Sequence, residues 1–263
     1  MSTQNNNTQN NNYEIFPEFP ICDKVKKLME IPQYEQRTPE WYAQRKGALT
    51  ASDVPAALGN NKYKSQWQLL LDKCGEGKPF TGNDATRWGN LYEDVAIEKY
   101  SQLRNKKVYS FGLLIHPEYK WLGGSPDGIT SDGILLEVKC PMTRKIIPGE
   151  VPHHYIAQVL LNMEICNLDI AHFIEFIPGK SDDDYEINIV EVKRDREWFQ
   201  ESLPIMREFW DSVEKYRKIG ISKHPKYKPS KRTKITDSAN SITLNIDYIK
   251  SEKKKNECFF LED

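Results

Sequence analysis

The chain has 263 residues, 38% of them hydrophobic and 11% aromatic, with 37 basic against 38 acidic side chains for a formal net charge of -1. This balance suits one globular domain with polar extensions and lies far from that of proteins that coat nucleic acid. No apolar run is long enough to span a bilayer and the N-terminus lacks a basic start and an apolar segment, so a soluble intracellular protein is expected; five cysteines without a C-x-x-C pair argue against both a disulfide framework and a zinc cluster.

Residues 1–12 are almost wholly Asn, Gln, Ser and Thr, which bury too little apolar surface to offset ordering entropy, so a disordered head is expected. From Glu40 onward the pattern tightens. Ser52 reads as the N-cap of a short helix through Leu58 ended by Gly59, and Ser65 as the cap of another through Cys74 ended by Gly75. A clearer helix covers Trp88 to Tyr100, with Trp88, Leu91, Tyr92, Val95 and Ala96 as its apolar stripe. Glu93 stands at the border of that stripe beside Gly89 and Ala96, small residues that leave room beneath an acid for a metal or a backbone.

Strands are predicted over Val108 to His116, Trp121 to Thr130 and Gly133 to Cys140. A helix follows from His153 to Cys166, with Ile156, Val159, Leu160 and Met163 on a core face and Tyr155, Gln158 and Asn162 on another. Strands from Ile170 to Ile177 and Tyr185 to Val192 lead into a helical stretch from Asp195 to Ile219 that Pro204 should kink or interrupt. Between Lys215 and Lys234 nine basic side chains occur without an acid, interleaved with Tyr216 and Tyr227, a block that reads equally as a phosphate contact or a solvated tail. Alternation of Ile242, Leu244, Ile246 and Tyr248 suggests one more strand. The order of elements predicts an α/β fold, a mixed central sheet flanked by helices.

The richest stretch is Ser125-Pro126-Asp127-Gly128 followed by Glu137-Val138-Lys139. Pro and Gly force a tight turn at Asp127, and the run Ile134-Leu135-Leu136 makes Glu137 and Lys139 part of a buried strand, side chains on one face. Two carboxylates and an ammonium on adjacent strands can hold a divalent metal against a phosphodiester. Asp127 and Glu137 would be ligands for Mg²⁺ or Mn²⁺, with the Val138 carbonyl as a third oxygen, Glu93 completing the shell or holding a second ion, and Lys139 positioning the attacking water. A second E-x-K, Glu191-Val192-Lys193, runs into Arg194-Asp195-Arg196-Glu197 and reads as a solvated strand end. No H-E-x-x-H pair and no G-x-S-x-G elbow compete with this site. Gly123-Gly124 reads as a twist or bulge that lets the Asp127 turn approach the sheet.

The ordered series Trp41, Arg45, Thr50-Ala51-Ser52, Arg87-Trp88-Gly89, Glu93, SPDG, Leu136-Glu137-Val138-Lys139-Cys140-Pro141, Tyr155 and Gln158 closely resembles the YqaJ-like viral recombinase family, relatives of phage lambda exonuclease within the PD-(D/E)xK nuclease superfamily. The resemblance covers about residues 38–178. It implies a Mg²⁺-dependent exonuclease that digests one strand of duplex DNA from a 5′ end and leaves a 3′ overhang for a strand-annealing partner. By that resemblance Asp127, Glu137 and Lys139 match the catalytic triad, Glu93 the helix acid and Gln158 the glutamine near the site, with Tyr155 its neighbour. Arg45 and Ser52 match residues that grip the 5′-terminal phosphate, and Arg144-Lys145 stand near a further phosphate contact. Ring-shaped trimers known in the family make a homo-oligomer an expectation, and a viral source would place the protein in host cytoplasm or virion. The implied division is a head over 1–12, a nuclease domain over 13–220 and a basic extension over 221–263. The rival readings are an endonuclease of the same superfamily, which degradation of closed circles would reveal, and a DNA-end-binding module without catalysis.

Overall fold

The computed structural model describes residues 19–77 and 82–228; the Asn-rich head, the alternation of Ile242 to Tyr248, the basic residues beyond Lys228 and Cys258 lie outside them. Helices α1 (Asp23–Met29), α2 (Pro39–Lys46), α3 (Val54–Ala57) and α4 (Gln66–Lys73) come first, with a short strand β1 (Leu49–Thr50) after α2. The long helix α5 (Asp84–Arg104) leads into strands β2 (Val108–Tyr109), β3 (Leu114–Ile115), β4 (Leu122–Gly124), β5 (Gly128–Thr130) and β6 (Ile134–Lys139). Then follow α6 (His153–Cys166), β7 (Ile170–Pro178), β8 (Tyr185–Lys193) and α7 (Arg196–Ile219). The fold is the expected mixed α/β arrangement, built on two sheets: β1-β4-β3, and β2-β5-β6-β7-β8 in which β6 and β7 run parallel.

Local chemistry explains most boundaries. Ser65 accepts a hydrogen bond from the Gln68 N–H and Gln68 answers on the Ser65 N–H, a capping box that fixes the start of α4. Gly59 and Gly75 adopt φ of +78° and +84°, the left-handed region that only glycine enters without strain, where α3 and α4 end. Ser52, by contrast, is not a cap. Thr50 holds that position through a capping box with Asp53, and Ser52 sits inside the 3₁₀ turn Ala51–Asp53 that the box creates.

Four further expectations are corrected. The predicted strand over Val108 to His116 is two strands in different sheets, and that over Trp121 to Thr130 is likewise divided into β4 and β5. Ser125-Pro126-Asp127 lies between the latter pair and carries the chain from one sheet to the other. Pro204 does not interrupt α7: it lies on the exposed side, while Phe199, Met206, Phe209, Trp210, Val213 and Tyr216 pack into the core along the opposite face. The burial of that face outweighs one lost backbone bond. In α5 the buried side runs through Ala96 and Tyr100, with Trp88 and Tyr92 against it, whereas Leu91 and Val95 are exposed.

Two apolar clusters fill the two faces of the larger sheet. One gathers α3, α6 and α7 around Leu135, Ala171 and Phe173; the other places α5 over Leu136, Val138, Ile174 and Phe176. Between β4 and α6 the approach is close enough that a Cβ on Gly124 would meet the Asn162 Oδ1 at 2.2 Å. Gly124 is therefore a packing device that lets α6 lie against β4 beside the Asp127 turn.

Candidate active site

Asp127 is held where β5 leaves the turn: its N–H donates to the Leu136 carbonyl at 3.2 Å and its Oδ2 accepts from the Val138 N–H at 2.7 Å. Trp41 Nε1 donates to Ser125 Oγ at 3.1 Å, and Gln36 Nε2 donates to the Pro126 and Phe111 carbonyls, so α2 and the segment before it fix the same turn. Glu137, two strands into the sheet, is completely buried. Its Oε1 accepts from Lys139 Nζ and Gln158 Nε2, each at 2.5 Å, and its Oε2 accepts from Asn162 Nδ2 at 3.2 Å. Lys139 Nζ also lies 5.3 Å from the Tyr155 ring centroid. Glu93, from α5, meets the Arg37 guanidinium at 3.2 Å.

Burial dominates the electrostatics. It pushes the Glu137 carboxyl up to about 7, with Asp127 adding to the rise and Lys139 opposing it. Burial and then Asp127 raise Glu93 to about 7 against Arg37 and Lys139. Asp127 is also raised by burial, against Lys139 and the Val138 N–H. Burial alone would lower Lys139, yet Glu137 and Asp127 outweigh it and its ammonium holds its proton more firmly than a free lysine. Lys139 is thus suited to orient a water and not to take its proton.

Glu93 and Lys139 line a cleft of about 360 Å³ together with Tyr63, Val138, Arg144 and Tyr155 among others. Gly89 lines it too, with open space where a side chain would stand, whereas Ala96 is buried in the core and does not line it. On the other side Glu93 and Asp127 line a second cleft with Arg37 and Gln36. Among the described residues no three His, Cys, Asp or Glu side chains form a ready-made metal cage: Glu137 is turned onto Lys139, Gln158 and Asn162, and Glu93 onto Arg37. The donor chemistry nevertheless fits a small hard cation, since the available groups are carboxylate oxygens whose mutual repulsion and burial leave all three reluctant to ionise.

Arg45 and Ser52 come together, with Arg45 Nη2 donating to Ser52 Oγ at 2.8 Å and to Thr50 Oγ1 at 3.3 Å while the guanidinium lies 4.5 Å over the Trp41 ring. A buried ion pair of Lys73 with Asp53 at 2.7 Å adjoins them. Arg217 of the basic block is tied down, donating to the carbonyls of Lys46 and Lys73. Arg144 faces the cleft, whereas its neighbour Lys145 is exposed. Glu191 and Lys193 of the second E-x-K are exposed on the edge strand β8, where Glu191 pairs in register with His172.

Sequence reasoning placed Asn162 on the Tyr155 and Gln158 face without giving it a role at the site, and it missed Arg37. Asn162 was legible, since it lies one helical turn after Gln158 and both must face the same carboxylate. Arg37 was not: it sits in a loop with φ of +70°, and nothing in its neighbours points toward Glu93.

Residues 40–169 match the model of the YqaJ-like viral recombinase domain. The uncharacterized protein R354 of Acanthamoeba polyphaga mimivirus is 36% identical over 170 residues, which cover 58% of this chain and 30% of that protein. The uncharacterized protein YqaJ of Bacillus subtilis is 28% identical over 185 residues, covering 67% of this chain and 56% of that one. The chain thus spans between 30% and 56% of the length of these two curated relatives. The crystal structure of an alkaline exonuclease, LHK-Exo, from Laribacter hongkongensis superposes with a TM-score of 0.59 at 25% identity, covering 69% of this chain and 95% of that one. A further crystal structure of LHK-Exo is in complex with dAMP.

Proposed function

Residues 40–169 form a YqaJ-like viral recombinase domain, and from that premise we propose that the chain is a metal-dependent deoxyribonuclease that digests duplex DNA from 5′ ends. The observation that carries the reading is a fully buried acid, Glu137, held by Lys139, Gln158 and Asn162, with Lys139 and Glu93 lining one cleft and Asp127 and Glu93 lining a second. A buried acid that costs stability to ionise is retained where its charge is used.

Asp127 and Glu137 would hold Mg²⁺ or Mn²⁺, with the Val138 carbonyl and Glu93 as further oxygens. When bound, the ion neutralises charge on the phosphodiester and acidifies water. Gln158 and Asn162 fix the Glu137 carboxylate from α6, one donor to each oxygen. Lys139 keeps its proton, so it orients water and screens the acids from one another. Arg144, Lys145 and Tyr155 stand on or beside the cleft wall as contacts for the strand, and Arg45 with Ser52 and Thr50 offers a guanidinium and two hydroxyls to a terminal phosphate. Recombination or repair in a virus, with an annealing protein as partner and a homo-oligomer as the working form, is consistent with the family and its relatives, as is a nuclease domain over 13–220.

The test is a Mg²⁺-supplied digest of end-labelled linear duplex alongside closed circles. Loss of the 5′ label as mononucleotide with circles intact is expected. Cut circles would make the protein an endonuclease, and duplex bound but unchanged would make it an end-binding module.

A further inference from the structure

Glu175 lies on β7 at 0% exposure, in register with Lys139 of β6 on one side and Asn188 of β8 on the other. A carboxylate in the middle of a sheet needs a charge partner, and Arg144 supplies it from the segment between β6 and α6, Nη2 to Oε1 at 2.5 Å. The contact is ionic and out of line for a hydrogen bond, leaving Glu175 Oε1 with no donor aimed at it. The other oxygen, Oε2, accepts from Asn188 Nδ2 at 3.1 Å. Asn188 in turn holds the far end of the same segment, its Oδ1 accepting from the Gly149 N–H at 3.1 Å. One buried acid and its amide partner therefore pin the β6–α6 segment at two points.

Arg144 itself lines the cleft that contains Glu93 and Lys139. A guanidinium has five N–H donors; with Nη2 on Glu175 and Nη1 donating to the Lys145 carbonyl at 3.4 Å, the remaining ones are left for an anion in the cleft. We infer that Glu175, braced by Asn188, is a positioning residue that fixes the Arg144 guanidinium as a clamp for a phosphate of the bound strand. This rests on the nuclease reading, but it concerns the grip on the strand and not its cleavage.

The experiment is binding of the full chain to a fluorescent 5′-phosphorylated duplex without divalent metal, measured across a salt series, with thermal unfolding in parallel. Glu175→Gln keeps the shape and removes the charge. Together with Arg144→Ala it is expected to weaken binding on the order of tenfold and to flatten the salt dependence, while the double variant binds no more weakly than Arg144→Ala alone. Glu175→Gln with wild-type affinity and salt slope, or losses that add in the double variant, would overturn the assignment. Should Glu175→Gln not fold, Asn188→Ala loosens the same acid from its other side, and a weaker, salt-insensitive grip is again expected; wild-type binding by that variant counts against the inference. A wild-type chain that binds no duplex sinks the nuclease reading and this clamp with it, whereas binding without cleavage leaves the clamp standing alone.

Discussion

Glu137 and Lys139 are separated by one residue, and so are Glu191 and Lys193, yet only the first pair is enclosed: Glu137 is fully buried while Glu191 faces solvent on an edge strand. Glu137→Ala and Lys139→Ala are each expected to reduce metal-dependent cleavage by at least a factor of about 1,000, in line with the several kcal/mol that charge stabilisation supplies, and Glu191→Ala to leave the rate within about twofold; equal losses in a gel-based digest would move the site to β8. The same acids set a pH dependence. Glu137 and Glu93 titrate at about 7 against an ordinary 4.5, so between those values the folded chain holds protons that the unfolded chain has released. Metal-free stability therefore falls as pH rises through that window, by an amount on the order of a few kcal/mol. Calorimetry in chelator should give a higher Tm near about pH 5.5 than near about pH 8, and the Tm increase on adding Mg²⁺ should be larger at the alkaline end, where protons no longer compete for the carboxylates. A flat profile would mean that the acids are better solvated than their burial implies.

Element by element, the site depends on how closely α6 lies against β4. The Gly124→Ala side chain would collide with Asn162 Oδ1 at 2.2 Å and crowd Ile165 at 3.1 Å. A loss of about 1–3 kcal/mol in urea unfolding is expected, together with a lower turnover number as Asn162 is driven off Glu137; unchanged turnover would show that Gln158 alone suffices. Helix α7 gives the opposite case. Pro204 is exposed within a continuous helix, so nothing in the packing demands it, and Pro204→Ala should raise stability by about 1–3 kcal/mol. A lower Tm would reveal a bend on which the core face depends. The long helices α6 and α7 and the strands β7 and β8 were legible because each carries many residues of one period, and α6 runs from His153 to Cys166 as expected. The short strands β2 to β5 were not: the apolar pattern runs on through Phe111 and Leu113 between β2 and β3, and the turn at Ser125-Pro126-Asp127, though visible, does not tell that the strands on its two sides belong to different sheets.

Over the whole molecule, charge is arranged by place and not by sum. The chain is nearly neutral, but Arg45, Lys73 and Arg217 gather around Asp53, Thr50 and Ser52, while Lys139 and Arg144 face the cleft. If the Arg45 group receives a terminal phosphate, linear duplex with 5′-phosphates should be degraded on the order of tenfold faster than the same duplex with 5′-hydroxyls, the worth of a charge-assisted contact; identical rates would remove the pocket. The sequence by itself determined the α/β class, the turn at Asp127 and the strand that carries Glu137 and Lys139, because local propensity and strand alternation fix which residues share a face. It also carried the family's motif series in order. The burial of Glu137 and the exposure of Glu191 agree with the choice between the two E-x-K pairs that their surroundings in the sequence indicate; only the tertiary structure decided that Thr50 and not Ser52 caps the turn, that Asn162 and Arg37 join the acids, and that Glu175 stands behind Arg144. Those are meetings of side chains from distant parts of the chain, and they are set by how sheets and helices pack, a free energy that no local stretch contains.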